Sequence, residues 1–198
     1  RTHRELTGLR CLSMEETPPP KKNVCSSRSF GRPVTELEEL EEAVANYAVR
    51  AARKIRREGS LACGMQTFLM TNRFREDLPQ YANAKTLAFD EPTDDVARIL
   101  ASAKRLLRSI FRPDFQYKKA GVLLLDLIPA RQRQTLLFPA PGAEKRRRLL
   151  QAMDEVAAAC GPSAAFFAAQ GIRRSWSMKR QNRTPRYTTH WEEIPEVS

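Results

Sequence analysis

Histidine is scarce in this 198-residue chain, which has only His3 and His190, and its four cysteines, Cys11, Cys25, Cys63 and Cys160, are widely spaced with no C-x-x-C pair. That spacing offers no zinc-type ligand set and no disulfide framework, so reduced thiols are expected. Also missing is any apolar run near the ~20 residues of a membrane-spanning helix, and the first thirty residues hold no signal-peptide core. A cytoplasmic protein without a membrane role is the expectation. No glycine-rich phosphate loop, no nucleophile beside a base and no carboxylates arranged for two-metal chemistry stand out. Accordingly no catalytic residue, metal ligand or cofactor is assigned to these residues.

Positive charge and apolar content are plentiful. Hydrophobic residues make up 41% of the chain, enough for a core, and the formal net charge is +11. Twelve Lys and Arg against six Asp and Glu in residues 131–198 give that third +6 of the total. Such a balance favours an anionic partner, most simply nucleic acid, with a membrane surface as the competing anion. The chain starts at Arg1 in a charged segment and is expected to continue a longer protein.

Residues 1–22 end in "TPPPKK", a composition suited to an extended tether. A strand opens at "NVCSSRSF", and Gly31 and Pro33 are expected to break it before a helix capped by Thr35. That helix runs to about Gly59 with Leu37, Leu40, Val44, Tyr47, Ala51 and Ile55 along one buried stripe and a charged opposite face. "LACGMQTFLMT" (61–71) reads as a strand, followed by a shorter one around "KTLAF". A second helix follows, capped by Thr93, with Val96, Ile99, Leu100, Ala103, Leu107 and Ile110 on one face, and then the strand "AGVLLLDLI". Strand, helix, strand, strand, helix, strand predicts an α+β two-layer sandwich of ferredoxin-like connectivity, a four-stranded sheet with two helices, over residues 23–130. Residues 131–142 read as a linker. Residues 143–198 read as a small, mostly helical or irregular region whose helix (143–160) has Leu149, Leu150, Met153, Val156 and Ala157 as its apolar side.

Four stretches could carry function. In "CSSRSFGRPVT", Ser27, Arg28, Ser29 and Arg32 suit a phosphate-contacting strand edge, or equally an ordinary polar turn into the helix. Lys118 and Lys119 lead into a buried strand. In "RQTLLFPAPG", Gln134, Leu136, Leu137 and Phe138 have the form of a short docking peptide, with an amide for a polar site and apolar side chains for a pocket. The same triplet could pack back on its own domain. In "WSMKRQNRTPRYTTHW", Lys179, Arg180, Arg183 and Arg186 alternate with Trp176, Tyr187 and Trp191, a pattern for nucleic acid or for aromatics that pin the tail to its neighbour. The acidic run "ELEELEE" reads as a solvated helix face.

These motifs, in this order, resemble the C-terminal half of UmuC-type members of the Y family of translesion DNA polymerases. "RELTGLRCLSMEE" is similar to the end of a thumb and its tether, "VCSSRSFGRPV" and "YKKAGVLLLDL" to the opening and closing strands of a little finger domain, and "FFAAQGI" with "WSMKRQNRTPRYTT" to the UmuC-type C-terminal region. The resemblance implies a little finger that grips primer-template backbone through Ser27, Arg28, Ser29 and Arg32, with Lys118 and Lys119 behind them. It implies a β sliding clamp peptide at Gln134, Leu136, Leu137 and Phe138, although Thr135 stands where such peptides often carry leucine. It marks Trp176, Lys179, Arg180, Arg186, Tyr187, Thr188 and Thr189 as a C-terminal motif, and a UmuD-type accessory subunit and a recombinase filament as further partners in the SOS response. Mg²⁺ and catalysis belong, on this resemblance, to the palm of the parent polymerase. Without it, a stand-alone DNA-binding or clamp-binding protein fits the same residues.

Overall fold

The computed structural model describes residues 1–11, 20–133, 142–161, 164–178 and 184–194. A one-turn helix, α1 (Thr2–Leu6), stands where an extended tether is expected, and it buries none of its residues. The proline triplet of that tether lies outside the described residues.

The sandwich is built from β1 (Val24–Val34), α2 (Leu37–Arg57), β2 (Ser60–Thr71), β3 (Ala82–Thr93), α3 (Val96–Ile110) and β4 (Tyr117–Pro129). All sheet pairings are antiparallel and the strand order is β1-β4-β2-β3. The last strand is thus inserted between the first two. Both helices lie on one face, where Phe30, Leu40, Tyr47, Met65, Ile99, Leu107, Tyr117 and Leu124 form the fully buried centre of the core. This is the α+β architecture that the order of apolar patterns predicts.

Local details differ from expectation for physical reasons. Gly31 and Pro33 do not end β1; the register against β4 shifts between Ser29 and Val34, and this irregularity, on an edge strand, accommodates a proline that could not donate to a ladder. The caps sit further along than Thr35 and Thr93. Helix α2 starts after Glu36, and α3 after Asp95, whose carboxylate accepts from the Ala97 N–H at 2.8 Å. Strand β3 is twelve residues long, far beyond "KTLAF", because its pairing to β2 rather than an alternating apolar pattern defines it.

The largest departure concerns α2. Residues Ala43 to Val49 are buried without a break, so the helix has no charged outer face in its middle. Of its acidic residues Glu38 is exposed, but three are engaged instead of solvated: Glu41 binds Arg108 (2.5 Å) and Lys104 (3.3 Å) of α3, while Glu39 and Glu42 bind the C-terminal region. Burial raises the Glu41 carboxyl, but the two cations outweigh it and hold it below the ordinary range.

The second cover of α2 comes from residues that follow the sandwich. Helix α4 (Ala143–Ala159) buries Leu150 and Ala157 and places Asp154 between them on the same stripe, leaving Leu149 57% and Val156 41% exposed. The expected five-residue apolar side is therefore only partly used. Ion pairing sets the docking face: Asp154 accepts two hydrogen bonds from Arg56 (2.7 and 3.0 Å) and lies 3.6 Å from Arg53.

Burial pushes the Asp154 carboxyl up, but the Arg56 hydrogen bond and the charges of Arg56, Arg53 and Arg57 hold it below its ordinary 3.8. A lowered folded-state value stabilises above the unfolded value and is lost as pH falls through the folded one. Asp154→Asn should therefore cost about 1 kcal/mol at neutral pH, a figure reduced for solvent screening of a part-exposed pair. In urea titrations across pH the gap between wild type and variant should be constant above about pH 5 and close below about pH 4.

Candidate nucleic-acid interface

Among the described residues no helix packs on the second face of the sheet. Register places Ser27 and Ser29 of β1, Lys119, Gly121, Leu123 and Leu125 of β4, and Gly64, Gln66, Phe68 and Met70 of β2 on that open side, because their cross-strand partners alternate with the core residues Met65, Leu69, Ala120, Val122 and Leu124. Among these the sole charge is the ammonium of Lys119. The surface has an apolar middle with half-buried Phe68 and Leu123, and hydroxyls along the β1 side. Gln66 Nε2 donates to Thr86 Oγ1 at 3.0 Å, extending the polar rim across β3.

Gly121 sets the relief of this face. A Cβ there would lie 2.4 Å from Phe68 Cζ and 2.5 Å from Ser27 Cβ, so the missing side chain lets Phe68 lie across β4 and close on Ser27. A glycine within an apolar strand is a signal for such close approach, and Gly121 and Phe68 are the open-face residues that sequence reasoning passes over.

The residues expected to touch DNA do not act as one cluster. Ser27, Ser29 and Lys119 share the open face. Arg28 pairs across to Ala120 and so leaves the strand on the helix side. Arg32 donates to Glu39 and, at 3.3 Å, to Ser175 Oγ. Lys118 Nζ donates to the Phe30 carbonyl at 2.9 Å, where it braces the irregular part of β1. Gln134, Leu136, Leu137 and Phe138 lie outside the described residues. They follow Arg133, whose guanidinium holds Glu91 of β3 at 2.7 Å.

In the C-terminal motif Trp176 is an anchor. It is 5% exposed, meets Phe30 and Tyr47 edge-on at 6.2 and 6.0 Å, donates from Nε1 to Glu42 Oε1 at 3.0 Å, and accepts at its carbonyl from the Gly31 N–H at 3.0 Å. Gln170 adds a buried exchange with Asn46, at 2.7 and 3.2 Å. The glutamates and Asn46 of α2 are a docking site that no local pattern marks, since their partners lie more than a hundred residues away. Arg186 is engaged by Glu193, whose carboxyl the Arg186 hydrogen bonds pull down to about 2. Tyr187, Thr188 and Thr189 are exposed in the adjoining turn, while Lys179 and Arg180 lie outside the described residues. Burial pushes the Tyr47 phenol up to about 12, against the pull of Arg50, so it stays a donor.

All four thiols are free. Among the described residues no helix is long and apolar enough to cross a membrane, and no three of His, Cys, Asp and Glu come together to hold a metal ion.

Residues 21–137 match the impB/mucB/samB family C-terminal domain, and residues 147–197 match a domain of unknown function, DUF4113. The chain is 38% identical over 201 residues to Protein UmuC of Salmonella typhimurium, which covers all of this chain and 47% of that protein. It is 29% identical over 147 residues to DNA polymerase IV of Desulfatibacillum aliphaticivorans, covering 71% of this chain and 35% of the polymerase. It spans about half the length of the UmuC-type relatives it matches. Among solved structures, a complex of beta-clamp processivity factor and little finger domain of PolIV aligns with 58% of the chain and 97% of that chain at 17% identity and a TM-score of 0.40.

Proposed function

The chain belongs to the impB/mucB/samB family, through the C-terminal domain at residues 21–137, and from that membership we propose that it is the DNA-gripping C-terminal part of an error-prone translesion polymerase. The open face of the sheet lies against primer-template DNA. Ser27, Ser29 and Lys119 contact the backbone, and the apolar middle sits over the groove without reading bases. The observation that carries this reading is the composition of that face: hydroxyl donors and one ammonium over a glycine-lowered floor, with no carboxylate among the open-face positions Ser27, Ser29, Gly64, Gln66, Phe68, Met70, Lys119, Gly121, Leu123 and Leu125. Arg32 and Lys118, occupied by Glu39 and Phe30, serve the grip by holding β1 in place.

A weak, sequence-indifferent grip suits a polymerase that must tolerate distorted template, provided something else keeps it on DNA. The peptide Gln134, Leu136, Leu137, Phe138 supplies that tether by docking on a β sliding clamp, where linkage raises effective concentration. Recruitment by a UmuD-type subunit or a recombinase filament during the SOS response would act through the tail. On this reading the Mg²⁺ and the nucleotide chemistry of such a polymerase belong to the palm of the parent protein.

Fluorescence anisotropy with primer-template DNA tests the grip. Log affinity should fall linearly with log salt, and Lys119→Glu should weaken binding about tenfold irrespective of sequence. Salt-insensitive binding, or no response to Lys119→Glu, would remove the open-face reading. The tether is tested separately: replacing Gln134, Leu137 and Phe138 together by alanine should reduce affinity for purified clamp at least about tenfold, and unchanged affinity would exclude the peptide.

A further inference from the structure

Arg28 is the odd member of the β1 cluster. Its partner Ala120 is a core residue, so its side chain leaves the sheet on the helix side, yet it is exposed because β1 is an outer strand. There it meets α2. The Tyr47 hydroxyl donates to the Arg28 carbonyl at 3.4 Å, and Arg50 lies near enough to that phenol to act on its titration. From Arg50 the helix continues with Lys54 and Arg57. Spacings of four and three residues put these cations on one side over about 10 Å of helix axis.

All three are exposed, and no ion pair or side-chain hydrogen bond engages them among the described residues. The neighbouring carboxylates are committed elsewhere, Glu58 to Lys21 and Asp154 to Arg56 and Arg53. The charge of Arg57 adds to those that hold Asp154, but unlike Arg32 and Lys118 none of the three is tied down by a hydrogen bond among the described residues. Tyr47 is buried, so its ring is not offered to a base.

We propose that Arg28, Arg50, Lys54 and Arg57 form a second nucleic-acid track, which takes the phosphate backbone of a single strand on the side of the domain opposite the duplex face. One file of cations about 10 Å long suits two or three phosphates of one backbone, whereas a duplex presents two backbones across a groove. With no exposed ring beside it among the described residues the track is indifferent to sequence. It goes beyond the duplex grip and uses none of its open-face residues.

The test titrates the full chain with a short oligothymidylate and, separately, with a blunt duplex of similar length, over a range of salt. Replacing Arg50, Lys54 and Arg57 together by alanine should weaken oligothymidylate binding at least about tenfold at low salt and lower the log-log salt slope by about 2, since each single-strand phosphate neutralised contributes about 0.7. Duplex affinity should stay within about twofold. Arg28→Ala should affect the oligothymidylate and spare the duplex, and Lys119→Glu should do the reverse. Exchanging Arg50 and Arg57 for lysine should keep the slope, because a phosphate track needs charge rather than a guanidinium fork. An unchanged single-strand slope in the alanine variant, or equal losses on both ligands, would overturn the proposal. A duplex that ignores Lys119→Glu would remove the open-face reading and leave this one standing.

Discussion

Trp176→Ala is expected to lower the unfolding free energy by about 3 to 5 kcal/mol, the range for truncating a large buried aromatic. Three losses combine. The cavity opens between Phe30 and Tyr47, which lose their edge-on partner; such pairs contribute about 0.5 to 1.5 kcal/mol beyond area. Glu42 loses the indole donor. Finally, the backbone bond to Gly31 depends on the segment staying docked. Urea unfolding followed by far-UV circular dichroism reads the total, and Trp176→Phe should recover most of it while leaving a deficit of about 1 kcal/mol for the missing hydrogen bond. Wild-type stability in the alanine variant would show that the segment is not part of the cooperative unit.

Gly121→Ala should cost about 2 kcal/mol and weaken duplex binding as well, the double effect that separates it from an ordinary core substitution. The added methyl would fall 2.4 Å from Phe68 Cζ and 2.5 Å from Ser27 Cβ. The ring can swing, but Ser27 Cβ is fixed to the backbone of a paired strand, so β1 must move relative to β4. Pairing the substitution with Phe68→Ala should relieve the ring clash and leave the Ser27 clash, giving partial recovery of stability. Stability unchanged in Gly121→Ala would mean that the open face has slack there.

The parts of this fold legible in the sequence are those whose cause is local. Helix α3 shows its buried stripe at Val96, Ile99, Ala103, Leu107 and Ile110, and β4 its apolar run from Ala120 to Leu125, because each residue's fate follows from its neighbours in the chain. Strand β3 is nearly silent at its start: its residues from Ala82 to Thr86 are small or polar and exposed, and only pairing with β2 makes them a strand. Gly31 and Pro33 misdirect, since their usual effect is overridden at an edge where β1 can leave register. The site divides likewise. Ser27, Arg28 and Ser29 can be picked out as a polar group, but the alternation of a strand sends Arg28 to the other side from the two serines. The continuous burial of α2 from Ala43 to Val49 was not legible as such, because the partners that cover its second side, Gln170 among them, lie more than a hundred residues further along the chain.

That cover arrives late. The Asn46 amide finds the Gln170 carbonyl 124 positions further along the chain, and contacts of such separation form slowly, after nearer ones are in place. On a ribosome, where chains emerge at about 5 to 20 residues per second and fold from the N-terminus first, the sheet and both sandwich helices are complete well before Trp176 appears. For that interval of some seconds the Asn46, Tyr47 side of α2 faces water without its lid. The C-terminal region is thus also a finishing step in synthesis, and a nascent chain stalled ahead of it would present an apolar helix flank to chaperones.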